Sequence, residues 1–296
     1  MPSRELDDVF QLIKERSAAP RNTVEESRWA MERNMGQLPV EDDISTERVG
    51  AGGIPAEWVV APEAQDGRVM LYLHGGGYVF GSTRTHRAMV AGISRAAKSR
   101  VLSLDYRLAP ECPFPAAVDD SIAAYRWLID SGFDPKKIVI GGDSAGGGLM
   151  VAALVALRYL GEPMPAAGVG ISVWTDMEAT GESFTYNAEV DPQLTRDGIL
   201  AIAKIYMAGK NTKAPLASPI NADLSGLPPL LLQVGSIETL LDDTNELANR
   251  ARAAGVHVEV DVWDGMPHVW HMYSDILPEA RQAIQRVGEF ALKHTG

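Results

Sequence analysis

The sequence holds a single cysteine, Cys112, in 296 residues, so no disulfide can form within the chain. A reducing, cytoplasmic setting is the simple expectation. Cys112 stands between Glu111 and Pro113 with no C-x-x-C or paired Cys/His spacing around it, so neither a metal nor another cofactor is expected. Basic residues are also scarce: Lys and Arg number 27 against 39 Asp and Glu, a net charge of −12. Phosphate backbones need a basic face, so a nucleic-acid partner is not expected. The same charge disfavours anchoring on an anionic membrane surface. No apolar run reaches the ~20 residues of a membrane span. The opening residues Met1 to Asp8 are too acidic, and lack the apolar stretch, for a signal peptide. There is no internal repeat and no low-complexity tract.

What is present is a long alternation of two patterns. Strand-like runs fall at Trp58 to Ala61, Val69 to Leu73, Val101 to Leu104, Ile138 to Ile140, Gly168 to Val173, Leu230 to Val234 and Val258 to Val262. Helix-like runs fall at His86 to Lys98, Ala116 to Ile129, Ala145 to Leu160, Asp242 to Ala254 and Pro278 to Lys293. The longest apolar stretch, Leu149 to Leu157, reads as a buried helix. Alternation of this kind predicts an α/β fold with a mostly parallel, doubly wound sheet. The length suits one large core over residues 46–296. Residues 1–45 read as two amphipathic helices separated at Pro20, with Val9, Leu12 and Ile13 on one face and Trp29, Met31 and Met35 on the other helix. They fit either an extension packed on the core or part of a cap. Residues 176–217 break the rhythm and carry Ile199, Ile202, Ile205 and Tyr206 at helical spacing, as a lid inserted after a strand would.

Between the strand-like Ile138 to Ile140 and the helix that follows lies Gly142-Asp143-Ser144-Ala145-Gly146. A serine at such a junction sits on a strained turn with its hydroxyl presented above the sheet, and small residues two positions either side let strand and helix pass closely. The competing reading of Ser144 is an ordinary helix N-cap. A second run, His74-Gly75-Gly76-Gly77, follows the strand-like Val69 to Leu73. Consecutive glycines there can aim backbone amides at the oxyanion of a carbonyl attacked by a serine.

A hydrolytic serine needs a base and an acid further along the chain. Of the six histidines (His74, His86, His257, His268, His271 and His294), only His268 and His271 lie between the last strand-like run and the last helix. His74 belongs to the glycine loop, His86 opens a helix, and His294 falls in a frayed tail. His268 directly follows the turn residues Gly265 and Pro267 and is the expected base. Glu238, just past the Leu230 to Val234 strand, is the expected acid. Its rivals are Asp242 and Asp243, one of which helix capping would explain, and Asp264, a turn residue before glycine.

With His74-Gly75-Gly76-Gly77, Asp105-Tyr106-Arg107-Leu108-Ala109-Pro110-Glu111 and Gly142-Asp143-Ser144-Ala145-Gly146-Gly147, the chain from about residue 40 onward resembles the bacterial hormone-sensitive-lipase-like carboxylesterases, of α/β-hydrolase fold. The resemblance implies amides of Gly76, Gly77 and Ala145 as oxyanion donors, and a helical cap of residues 1–45 with a second segment near 176–217. It also implies hydrolysis of short to medium acyl esters, and a homodimer through the edge strand near 256–262. The chain departs from the family in using Glu238-Thr239-Leu240-Leu241-Asp242 where aspartate is usual in the acid's place. Arg107 and Glu111 read as one network bracing the glycine loop. A lactonase or amidase could use the same triad, and a non-catalytic small-molecule receptor could share the scaffold.

Overall fold

The computed structural model describes residues 2–17 and 23–296, so the expected break at Pro20 lies outside the described residues. Among the described residues, eight strands form one sheet: β1 (Ser45–Ala51), β2 (Ile54–Val60), β3 (Val69–Leu73), β4 (Arg100–Leu104), β5 (Ile138–Asp143), β6 (Ala167–Ile171), β7 (Leu230–Gly235) and β8 (Val258–Trp263). Their spatial order is β1-β2-β4-β3-β5-β6-β7-β8, antiparallel from β1 to β4 and parallel onward to β8. The helices are α1 (Glu5–Ser17), α2 (Val24–Asn34), α3 (Thr83–Ala97), α4 (Ala116–Asp130), α5 (Ala145–Leu160), α6 (Ser183–Tyr186), α7 (Arg196–Met207), α8 (Leu241–Ala253) and α9 (Pro278–Thr295).

The central strands read as unbroken apolar runs because both faces of the sheet are covered. In β3, Val69, Leu71 and Leu73 enter one core with α4, α5 and α8, while Met70 and Tyr72 enter the other with α1, α3 and α9. That is the period-two alternation of a pleated strand, with apolar partners on both sides. Leu149 to Leu157 is buried throughout, as expected of the helix behind Ser144.

Four local expectations need correction. Strand β1, Ser-Thr-Glu-Arg-Val-Gly-Ala, was not expected; it is a mostly exposed edge strand with no apolar alternation. Its signal lay in the two-residue turn Gly52-Gly53, which joins it to β2 in a hairpin. His86 does not open its helix: α3 begins at Thr83, and Ser82 caps it with a reciprocal Thr85 bond. His294 lies inside α9 against Phe290, with no frayed tail. Finally, Trp29 leaves the apolar face expected of α2. It is 62% exposed, with the Arg33 guanidinium 4.6 Å from its ring.

Candidate active site

Strand β5 ends at Asp143 and α5 starts at Ala145, leaving Ser144 between them at φ 53°, ψ −122°. Such a conformation is strained for a residue with a Cβ. Close packing holds it there: a Cβ at position 146 would lie 1.9 Å from the Leu73 carbonyl oxygen, and one at position 142 would lie 2.3 Å from the Gly146 oxygen. Both positions therefore require glycine. Ser144 occupies the N-cap position of α5, but its hydroxyl makes no capping bond. It lies 2.9 Å from His268 Nε2. Geometry thus separates the two readings of this serine.

His268 Nδ1 lies 2.8 Å from Glu238 Oε2, and Glu238 is fully buried. The other carboxylate oxygen, Oε1, accepts from the Gly235 amide at 2.6 Å and from Ser172 Oγ at 2.8 Å. Burial alone would lower the His268 pKa. The hydrogen bond and charge of Glu238, with Asp191 and Asp143 further off, outweigh it and raise the pKa above its usual value. With Nδ1–H donated to Glu238, Nε2 is the free lone pair facing the Ser144 hydroxyl.

The rivals have other partners. His271 is buried, pairs through Nε2 with Gln233 Oε1 at 2.8 Å, and burial lowers its pKa to about 3. Asp242 accepts from the Ser183 amide and the Tyr186 hydroxyl, and Asp243 accepts from the Thr175 and Asp176 amides. Neither caps α8, contrary to expectation, because α8 starts at Leu241 and has no side-chain cap. Both instead tie down the segment after β6.

Gly76 and Gly77 adopt φ 110° and 63°, which a side chain would resist. Among the described residues no acceptor engages either amide. The Ala145 amide, first in α5, has no intrahelical acceptor. The loop is braced from below: Tyr106 stacks on His74 at 4.3 Å and donates to its carbonyl at 2.7 Å. Glu111 pairs with Arg28 of α2 at 2.7 Å, and Arg28 Nε donates to the Val79 carbonyl at 2.7 Å. Arg107 is not part of this network. Its guanidinium and amide bind Asp120 at the start of α4, so the expected joint role of Arg107 and Glu111 is corrected.

Sequence reasoning missed Asp143, Ser172 and Asp191. Asp143 Oδ1 accepts from the Gly75 amide at 3.0 Å. Ser172, at φ 49°, lies just past β6, which stops at Ile171, although the apolar run around it predicts strand through Val173. Asp191 Oδ2 accepts from the Thr239 amide and hydroxyl at 2.8 and 3.0 Å, fastening residues 183–195 to the loop that carries Glu238. No local pattern announces such long-range contacts.

Above Ser144 opens a cavity of about 550 Å³. Gly76, Gly77 and His268 share its floor with Ser144; Met31 and Met35 from the α2 region, Phe80, and Ile199 and Ile202 of α7 supply apolar walls. Tyr78, fully buried beside it, stacks on Tyr206 of α7 at 3.8 Å.

A serine on a strand-to-helix elbow at the centre of this sheet, facing a histidine–carboxylate pair, defines an α/β-hydrolase. The family described as alpha/beta hydrolase fold matches residues 70–272. An acetyl-hydrolase of Streptomyces hygroscopicus is 45% identical over 100% of this chain and 99% of its own. The carboxylesterase NlhH of Mycobacterium tuberculosis is 34% identical over 98% of this chain and 96% of its own. Among solved structures, an esterase from the bacterial hormone-sensitive lipase family superposes with a TM-score of 0.98, at 61% identity and over 100% of both chains. The chain belongs to this family and is a carboxylic ester hydrolase. The receptor reading falls with that. Among the described residues no helix is long and apolar enough to cross a membrane.

Proposed function

We propose that this enzyme hydrolyses short to medium acyl esters through a Ser144-His268-Glu238 triad and an acyl-enzyme. Ser144 Oγ attacks the ester carbonyl while His268 Nε2 takes its proton. Glu238 holds the imidazole in the required tautomer and stabilises its positive charge. The amides of Gly76, Gly77 and Ala145 bind the oxyanion, preorganised by the backbone and needing no rearrangement. His268 then protonates the leaving alcohol, and a water activated by the same imidazole releases the acid. The observation that carries this reading is the continuous pair of contacts, 2.9 Å from Ser144 to His268 and 2.8 Å from His268 to Glu238, at the floor of an apolar cavity.

The same reading makes residues 1–45 and 176–217 a cap, because α2 and α7 both wall the cavity above Ser144. The apolar walls give the acyl group a place to bind, and the likeness to hormone-sensitive-lipase-type esterases favours short to medium chains. The edge strand β8, whose Val262 is 51% exposed, is the proposed homodimer seam, tested by light scattering of the native chain. Cytoplasmic residence belongs to the proposal too, tested by cell fractionation. For the chemistry, a fluorophosphonate should label wild type stoichiometrically and leave Ser144→Ala unlabelled and inactive. Rates on p-nitrophenyl acetate, butyrate, octanoate and laurate should peak before octanoate. An active, labelled Ser144→Ala variant would remove the proposal.

A further inference from the structure

Behind the glycine loop lies a second buried carboxylate–imidazole pair that the triad does not use. Asp143 is 2% exposed, as is His86. Asp143 Oδ1 accepts from the Gly75 amide at 3.0 Å and the Tyr72 hydroxyl at 2.8 Å, while Oδ2 faces His86 Nε2 at 3.4 Å. A buried carboxylate with no cation beside it is strongly disfavoured.

The other ring nitrogen decides the charge of His86. Nδ1 lies 2.8 Å from Thr85 Oγ1 and 3.3 Å from the Ser82 carbonyl. The Thr85 hydroxyl already donates to that carbonyl at 2.9 Å and accepts from the Ser82 amide at 2.9 Å. With the Thr85 hydroxyl committed to the Ser82 carbonyl, Nδ1–H donates to Thr85 Oγ1 while Nε2–H donates to the carboxylate. A neutral ring would need that hydroxyl turned onto Nδ1 and would leave Asp143 without a cation. The charged and titratable groups around it are consistent. His74, on the glycine loop with its ring 5.4 Å away, is neutral: burial and the charge of His86 lower its pKa to about 4. Glu32 of α2 approaches through Ser82 Oγ, Asp105 after β4 holds the Thr83 amide, and Tyr72 of β3 is spent on Asp143.

The pair stands where the chemistry is sensitive. Asp143 directly precedes Ser144, and the amide it anchors, Gly75, directly precedes the two proposed oxyanion donors. Both Asp143 and His86 reach the cavity. We propose that His86 is a positioning residue, an imidazolium that neutralises Asp143 and thereby holds the glycine loop in register with Ser144. This rests on the oxyanion reading of Gly76 and Gly77. Burial works against the cation, but Asp143 outweighs it, so His86 titrates above its usual value. Above that pH the pair loses its charge balance, and activity falls. The acid side of the profile stays with His268.

Nitrogen-15 NMR of the histidine-labelled wild type tests the charge directly. One buried histidine, identified by its loss in His86→Gln, should carry protons on both ring nitrogens at neutral pH. In His86→Gln, kcat should fall about tenfold, short of the ~10² to 10³ for a whole oxyanion donor. KM should hold, the acid limb should remain, and the alkaline limb should vanish. In an Asp143→Asn background the same change should cost no further kcat. A neutral His86 in the wild type, or an alkaline limb unchanged in His86→Gln, overturns the proposal. Where His86→Gln misfolds, through-bond assignment of the His86 ring from its own backbone in the wild type keeps the NMR arm decisive. The oxyanion reading fails separately, if a phosphonate adduct places its oxygen away from the Gly76 and Gly77 amides while His86 remains a cation.

Discussion

Ser172 Oγ donates to Glu238 Oε1 at 2.8 Å and accepts from the Val269 amide at 3.1 Å, so one hydroxyl fastens the carboxylate to the residue next to His268. In the proposed triad this contact would fix a glutamate, whose side chain is one methylene longer than an aspartate's. The longer side chain is not left to swing, because Gly235 and Ser172 hold one oxygen while the other meets the imidazole.

Removing that hydroxyl should loosen the acid. Ser172→Ala leaves the buried Val269 amide unpaired and Glu238 with one contact fewer, a cost of about 1–3 kcal/mol. We expect kcat on p-nitrophenyl butyrate to fall about tenfold, since ~1.4 kcal/mol is a factor of ten. Phosphonate titration should still count one site per chain. Unchanged kcat would show that Gly235 alone suffices.

The elbow should tolerate nothing larger than glycine at position 146. The methyl of Gly146→Ala would collide with the backbone carbonyls of Leu73 and His74, which cannot swing aside as a side chain would. The expected loss is at least about 3 kcal/mol in urea denaturation, the upper end of ordinary overpacking. A wild-type midpoint would mean that β3 and α5 can separate.

The pH dependence follows from the raised His268 pKa. Only the neutral imidazole accepts the Ser144 proton, so kcat/KM should rise through a midpoint above the usual ~6.5. Glu238→Gln removes the charge that helps raise it, so the midpoint should move down. For stability the sign is opposite. A pKa raised by folding adds stability that is complete below ~6.5 and is lost as pH climbs through the folded value. A midpoint below 6.5 in wild type would contradict the Glu238 contact.

Arg28 and Glu111 should differ in weight although they form one ion pair. Glu111 is exposed, and its hydrogen bond with Arg28 lowers its pKa to about 2, so Glu111→Gln should change stability by no more than about 1 kcal/mol. Arg28 also donates to the carbonyls of Val79 and Ala109, joining α2 to the glycine loop. Arg28→Ala should therefore raise KM severalfold and lower the thermal midpoint more than Glu111→Gln does. Equal effects in calorimetry and kinetics would reduce Arg28 to a surface charge.

Much of the site was legible because its demands are local. The tight crossing at Gly142 and Gly146 and the left-handed backbone of Gly76 and Gly77 can be met by few residues, so these stretches stand out in the chain. The central strands were legible because burial on both faces makes them plain apolar runs. Edge strand β1 was not, since it satisfies no core. His86 and Asp143 were not, because their meaning is each other.

The amino-acid order alone determined the strand-to-helix elbow around Ser144, the glycine loop and the doubly wound sheet, through steric and hydrophobic rules that act within a few residues. Only the tertiary structure decided between His268 and His271, and which carboxylate meets the imidazole. Ser172 and Glu238 are 66 residues apart, and Ser144 and His268 are 124 apart. A hydrogen bond depends on ångström distances that chain separation does not encode, and those distances are set when the two faces of the sheet are packed.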